Sequence, residues 1–452
     1  MKDIFRWPVL WWLRFWAKLA LKKNRPFIVG VTGSAGKSSA VDAIAPVLKL
    51  KFKNLKIAEK ANSESGIPAD ILGLHFTDYS FFDWFRICIS APLSFFLYPS
   101  SFDCYLVEMG VDEPTPPKNM GYLLTIIKPD MAVILNALPV HAEQFGKQLN
   151  LKNQNDIVKA IAREKGEIIT ANPNLRFAII NADDENLFSL KPISKARIVT
   201  FGKSPTADVK ISSVVPSLSQ TKVTLVFKNR EYQILLKHLA LPEFYGYTIS
   251  AAFATGICLD QDPKMIAEKI SSGFKMSPGR GQIFSGIKQT TIIDSSYNAS
   301  GETMAGSLKM LQQIGDNKTK IAVLGDMREL GSQAKIEHEK VAEIAVKIAD
   351  KIILIGPLMK EYSLPIVKRS KLPVEWFATA GEAANYLLEG SHPSNNHNQD
   401  AILQGNEIIL VKGSQNTIFL EIVVEALLKN KSDVVNLCRR GKFWDKKRRP
   451  YQ

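Results

Sequence analysis

The segment from Phe27 to Ser39 limits the folds open to this chain more than any other. Phe27-Ile28-Val29-Gly30-Val31-Thr32 is a short, apolar, β-branched run that stops at Gly33, and Ala40-Val41-Asp42-Ala43-Ile44-Ala45-Pro46-Val47-Leu48 resumes with helical spacing. The pattern predicts a strand, a glycine loop and a helix in that order. The loop reads Thr32-Gly33-Ser34-Ala35-Gly36-Lys37-Ser38-Ser39. Glycines there let backbone amides curl around a phosphate, and the helix directs its positive end at the same place. Lys37 adds a cation, and the Ser38 hydroxyl can ligate Mg²⁺. The spacing departs from the full phosphate-loop pattern, because Val31 stands where its first glycine would be. A nucleotide-phosphate site at residues 32–39 is the expectation.

Further buried-strand candidates are Cys104-Tyr105-Leu106-Val107-Glu108, Met131-Ala132-Val133-Ile134-Leu135-Asn136 and Phe177-Ala178-Ile179-Ile180-Asn181. Continuous apolar runs of this kind suit a parallel sheet covered on both faces, which meets ligands at the strands' carboxyl ends. A more alternating section, 208–227, predicts an appended antiparallel hairpin. A second series begins at Thr291-Ile292-Ile293-Asp294 and continues through 320–326, 351–356 and 407–413. The fold expected is α/β: a phosphate-loop-type, mostly parallel central sheet domain over 26–286, then a Rossmann-like α/β domain over 287–435. A Trp-rich amphipathic helix (1–25) would precede them and a basic tail (436–452) would follow. The polar stretch 391–400 reads as an exposed loop.

The 452 residues carry a net charge of +14, with 46% apolar and 23% charged side chains, the balance of a packed protein. A basic chain favours anionic partners. No zinc finger, RNA-recognition signature or basic-zipper pattern accompanies the charge, so nucleic acid is not expected. A share of the excess lies at 439–449, read as a solvated tail. The four cysteines stand singly, which suits reduced thiols in the cytoplasm and no zinc site. Residues 5–21 alternate tryptophans with Arg6, Arg14 and Lys18. That segment is too short and too charged to span a bilayer. It is what an interfacial helix shows to an anionic membrane, and equally what a helix packed on its own protein shows. The apolar stretch 81–98, interrupted by Asp83, Arg86 and Pro92, leans towards the membrane-surface reading.

The loop, Gly33-Ser34-Ala35-Gly36-Lys37-Ser38 preceded by Val31-Thr32, resembles that of the Mur ligase superfamily, and the resemblance continues along nearly the whole chain. Asn62-Ser63-Glu64-Ser65-Gly66-Ile67-Pro68 is similar to a substrate-side motif of that family, with Ser63 and Ser65 as departures. Glu108-Met109-Gly110 looks like its metal-binding glutamate motif. Asn136 through His141-Ala142-Glu143 resembles its histidine stretch, and 161–168 the segment whose lysine is carbamylated in many members. Asp294-Ser295-Ser296-Tyr297-Asn298-Ala299, the string from Val323 to Gly331 with His338, and Val411-Lys412-Gly413-Ser414 resemble the branch that joins D-alanyl-D-alanine to UDP-N-acetylmuramoyl-tripeptide.

The resemblance implies an ADP-forming ligase of peptidoglycan-precursor synthesis, a cytoplasmic monomer that activates the tripeptide carboxylate as an acyl phosphate. ATP would lie on residues 32–39, with Arg280 on its phosphates and Asp294 on the ribose. Ser38 and Glu108 would hold one Mg²⁺, and His141 with a carbamylated Lys165 a second. Lys37, His141 and Lys165 form the implied catalytic set, and Asn62, Ser63, Lys412 and Ser414 would meet the substrates. An apolar strand ending in Glu108 supports a function there, because a buried carboxylate is costly without a partner. Three departures stand out. Ser295 replaces a second acid, Phe244-Tyr245 replaces a His-Asn pair near the adenine, and only about 25 residues precede the loop, where that branch carries a uridine-binding domain. Two rivals stay open, a Mur-type or folylpolyglutamate-type ligase with another acceptor and a non-catalytic membrane-surface scaffold, and a nucleic-acid-binding ATPase is a third, poorer one.

Overall fold

The computed structural model describes residues 3–451 except 60, 78–79, 98–100, 140–141, 192–194, 316, 391–402 and 415–416, with backbone alone for 3–5 and 332. Both His141 and the stretch 391–400 therefore lie outside the described residues.

The chain forms two compact units, Met1–Ser213 with Val223–Ile234 and Gly246–Lys275, and Met276–Gln452 with Val214–Lys222 and Leu235–Tyr245. The first is built on a nine-stranded sheet of order β2-β3-β1-β4-β5-β6-β7-β8-β9. Its strands are β1 (Phe27–Thr32), β2 (Leu55–Ile57), β3 (Cys104–Glu108), β4 (Met131–Ile134), β5 (Phe177–Asn181), β6 (Arg197–Gly202), β7 (Val209–Pro216), β8 (Gln220–Phe227) and β9 (Arg230–Lys237). Strands β1 to β6 pair in parallel, and β4 is buried at every position. The predicted hairpin grows by a third strand, β9. It follows β8 through Lys228 and Asn229, both at positive φ, the geometry of a tight hairpin turn.

Strand order reverses at β1, which lies between β3 and β4. Crevices for ligands open beyond the carboxyl ends of strands at such a switch point. The helices that matter here are α1 (Asp3–Asn24), α2 (Lys37–Leu48), α3 (Gly66–Ile71), α4 (Phe81–Leu97), α5 (Met120–Ile126), α6 (Ala142–Gln148) and α7 (Gln154–Thr170). Helix α1 packs a stripe of its own, Leu10, Leu13, Ala17 and Ala20, into the core beside Ile67, Ile71, Ile87 and Ala91. Each leucine so buried stabilises the unit by about 1.5–3 kcal/mol.

The second unit holds a six-stranded sheet of order β10-β11-β15-β12-β13-β14. Its strands are β10 (Gln282–Ser285), β11 (Thr291–Ser295), β12 (Lys320–Gly325), β13 (Lys351–Ile355), β14 (Val374–Phe377) and β15 (Ile408–Lys412). All neighbours pair in parallel except the edge strand β10, which runs antiparallel to β11. That edge strand corrects the expected boundary at Gly286. A cut there would remove β10 from its sheet, and the second unit's long continuous segment starts instead at Met276.

The basic segment 436–452 is also not a solvated tail. Arg439 and Arg448 are buried, and Trp444 and Tyr451 pack against the second unit's core. The guanidinium of Arg439 meets Glu421 with both arms, at 2.9 and 2.6 Å, while Arg440 and Arg448 pair with Glu425. Glu421 and Glu425 stand one helical turn apart on the helix Glu421–Leu427, so that helix supplies the carboxylates that draw the arginines in.

Candidate active site

Between β1 and α2 the chain turns through Gly33 (φ 154°) and Gly36 (φ 82°). At Gly33 an added Cβ would stand 3.0 Å from the Leu135 Cβ, and Gly36 caps α2 in the left-handed region that favours glycine. Among the described residues no side chain caps α2, and no acid sits in its first turn. Its first N–H groups therefore have no intrahelical partner, and the helix dipole adds positive potential there. The loop is pinned from β4. Asn136 accepts from the Ser34 and Ala35 amides and returns a hydrogen bond to the Ala35 carbonyl. Ser34 exchanges hydrogen bonds with the backbone of Leu138. Those amides are committed to Asn136, whereas Lys37, Ser38 and Ser39 lie at the α2 end of the loop. Thr32 is buried and donates to the Met109 carbonyl, so it ties β1 to β3.

Glu108 ends β3 directly beside Val31 of β1. The Lys37 ammonium folds back onto the Gly33 carbonyl at 2.9 Å. Burial holds that ammonium below the usual lysine range, partly offset by the charges of Glu108 and Asp112. Lys165, buried on the inner face of α7, is pushed down to about 7, first by burial and then by the Lys37 charge, against the pull of Asp112 and Glu164. Burial also lifts Glu164 to about 7, though it accepts the Met120 amide at 2.7 Å where α5 begins. One neighbourhood thus joins Lys37, Glu108, Asp112, Lys165 and Glu164. Asp112 was not singled out from the sequence, and Asn136 and Glu164 entered only as members of the resembling motifs, with no role of their own. Asp112, a second acid four positions beyond the end of an apolar strand, carried a legible signal.

Asn62 lies against Gly110, whose amide donates to the Asn62 carbonyl at 2.9 Å. Ser63 turns inward and accepts the Gly66 amide at 3.2 Å, which ties down the start of α3. The segment 147–155 closes α6 and opens α7, which carries Lys165.

The second unit gathers a separate cluster. Asp294 is fully buried at the end of β11. One of its oxygens accepts the Ser296 amide at 3.0 Å, and the other has no hydrogen-bond partner among the described residues. Burial raises its pKa. Arg280 lies over the Tyr297 ring, 4.6 Å from its centroid, with its Nε also unpartnered among the described residues. Lys412, at the end of β15, donates to the Asn298 carbonyl at 3.0 Å. Burial and then the Arg280 charge push its amine down to about 7, against the pull of Asp294. Ser414 accepts the Arg328 amide at 3.0 Å and donates to the Ala299 carbonyl, so its hydroxyl joins two loops of its own unit. His338 is likewise internal, with Nε2 accepting the Met327 amide and Nδ1 against the Ala334 carbonyl. Asp326 accepts the Leu358 and Met359 amides. Phe244 packs on Gly306.

Residues 31–256 match the Mur ligase middle domain, and residues 279–415 match the Mur ligase glutamate ligase domain. The UDP-N-acetylmuramoyl-tripeptide–D-alanyl-D-alanine ligase of Mycobacterium tuberculosis (strain ATCC 25618 / H37Rv) is 25% identical over 338 residues, covering 73% of this chain and 58% of that protein. The enzyme of the same name from Escherichia coli (strain K12) is 23% identical over 334 residues, covering 73% of this chain and 64% of that protein. The chain thus spans about three fifths of the length of these relatives. The crystal structure of MurF ligase from Thermotoga maritima in complex with ADP has the same fold, with TM-score 0.68, 23% identity and coverage of 92% of this chain and 83% of that one.

Proposed function

The chain belongs to the Mur ligase family, whose middle and glutamate ligase domains it carries, and from that premise we propose an ADP-forming amide ligase. ATP phosphorylates the free carboxylate of a UDP-N-acetylmuramoyl-tripeptide. The amine of D-alanyl-D-alanine then attacks the acyl carbon, loses a proton, and expels phosphate that carries one of the former carboxylate oxygens. The relatives' names support this substrate pair. The observation that carries the reading is the meeting, at the switch-point end of β1, of a helix N-terminus with no side-chain cap among the described residues, Lys37, and a buried Lys165 whose amine is pushed down to about 7.

Phosphoryl transfer asks the protein for positioning and charge neutralisation more than covalent help. In this reading the α2 amides and Lys37 hold the phosphates, with Lys37 leaving the Gly33 carbonyl to do so. Mg²⁺ takes one or two carboxylates together with substrate phosphates, and Glu108 with the Ser38 hydroxyl is such an oxygen donor set. Bound there, it would neutralise charge on the transferring phosphoryl group. A second ion would call on His141 and a carbamylated Lys165. In the second unit Arg280 would meet phosphate, Asp294 the ribose, and Lys412 the dipeptide carboxylate. Ser414, held by two loops, would act by positioning Lys412. Asn62, whose carbonyl accepts the Gly110 amide just beyond β3, would meet substrate, whereas the Ser63 hydroxyl already accepts the Gly66 amide. UDP- and ATP-linked substrates make a cytoplasmic location part of the proposal.

Lysine adds CO₂ only as the neutral amine. With its pKa pushed down to about 7, Lys165 is mostly protonated below pH 7 and mostly neutral above it. A carbamate resonance should therefore grow between pH 6 and pH 8 in ¹³C-bicarbonate and vanish in Lys165→Arg. No resonance at pH 8 would remove the carbamate from the account. The function itself is tested by ADP release with UDP-N-acetylmuramoyl-tripeptide, with and without D-alanyl-D-alanine, against a panel of other amines. Turnover with another amine and none with D-alanyl-D-alanine would assign a different acceptor.

A further inference from the structure

Helix α4 carries apolar side chains on its outward face as well as its buried one. Its buried stripe is Asp83, Ile87, Ala91 and Ser94. The two polar members are satisfied inside the protein. Asp83 accepts from both the amide and the hydroxyl of Thr77 and pairs with Arg86, and Ser94 donates to the Leu72 carbonyl. The outward stripe, Phe82, Phe85, Ile89, Leu93 and Phe96, recurs at helical spacing and is 49–79% exposed. Single exposed apolar residues are ordinary, but a whole helix face of them marks a surface that something covers.

Helix α1 extends the same face. Trp11 stacks on Phe15 at 5.7 Å, Phe15 meets Trp16 at 5.3 Å, and Trp16 meets Phe96 of α4 at 5.8 Å, a continuous run of rings from one helix to the other. Between the helices runs an apolar groove of about 650 Å³, lined by Val9, Trp12, Phe85, Ile89 and Leu93 among others. Along α1 the exposed stripe Trp11, Phe15 continues one and two turns later as Lys18 and Lys22, both exposed. No acid occurs between Ile4 and Arg25, and the single acid of α4, Asp83, is buried. Among the described residues no helix is long and apolar enough to cross a membrane.

We propose that the α1–α4 face docks on an anionic lipid bilayer, with the α4 stripe and Trp11–Phe15 at the headgroup–acyl boundary and Lys18 and Lys22 on lipid phosphates. An apolar helix face beside a basic flank is the two-part signal that peripheral binding requires. A second copy of the chain fits less well. A symmetric contact sets the same patch against itself, and this patch offers cations and rings with no carboxylate to pair them. The inference stands on this face alone and holds whichever amine the enzyme accepts.

The test is flotation of the full chain with vesicles of phosphatidylcholine alone or mixed with phosphatidylglycerol. The chain should float with the anionic vesicles and bind neutral ones about tenfold more weakly. Phe82→Gln/Phe85→Gln should weaken binding by about tenfold or more, and Lys18→Glu/Lys22→Glu by about tenfold at low salt. Neither pair should change ADP release in solution or the thermal midpoint. Absence of flotation with either vesicle, or binding that both variants retain, would overturn the proposal. So would a dimer, seen by light scattering without lipid, that Phe82→Gln/Phe85→Gln dissociates.

Discussion

Replacing Lys37 with alanine should lower ADP formation by about 10²–10³-fold, the usual loss when one preorganised charge donor is taken from a transition state. The folded protein should be no less stable for it. The ammonium is half-buried with its pKa lowered by burial, and its hydrogen bond goes to the Gly33 carbonyl, a group the loop can leave to water. Removing a desolvated cation relieves a cost, whereas phosphate would then face Glu108 and Asp112 with the cation between them gone. Rate and thermal midpoint should therefore part company. An unchanged rate would remove Lys37 from the chemistry, and a collapsed midpoint would make its role structural.

Arg439→Ala should do the opposite, destabilising the second unit by about 3–5 kcal/mol. Glu421 is fully buried and takes both arms of the Arg439 guanidinium, which also donates to the Ser296 and Tyr297 carbonyls. Without Arg439 a carboxylate is left in the core and the turn after β11 loses its brace, with Asp294 two residues away. The double variant Arg439→Met/Glu421→Leu should recover much of the loss, because an apolar pair of similar volume leaves no buried charge uncompensated. Denaturant midpoints of the three variants measure this directly. Equal midpoints for Arg439→Ala and the unaltered chain would return residues 436–452 to the status of a dispensable tail.

What could be read in the sequence divides along physical lines. Continuous apolar runs such as Met131–Ile134 and Lys351–Ile355 admit few environments, and the parallel sheets follow from them. The phosphate-type loop is legible because strand, glycines and helix are contiguous. Short edge strands such as β2 and β10 bury too little to announce themselves, which is why the boundary between units was expected too late. Residues 436–452 misled by composition. Their arginines look solvated until the helix Glu421–Leu427 is seen to carry two acids on one face. The neighbourhood of Lys165 was beyond reach for another reason. Its depressed pKa arises from burial on α7 and from a lysine far away in sequence, and neither shows in local spacing. The string from Val323 to Gly331 has a fold-level cause as well, since Asp326 and Met327 are held by hydrogen bonds within their own unit.

The central claim is that a substrate carboxylate becomes an acyl phosphate. Its most direct test uses UDP-N-acetylmuramoyl-tripeptide with both oxygens of the reacting carboxylate labelled with ¹⁸O, incubated with ATP, Mg²⁺ and D-alanyl-D-alanine. The account predicts one ¹⁸O in the released inorganic phosphate, one retained in the new amide, and none in the nucleotide. Unlabelled phosphate, or label appearing in AMP, would contradict it.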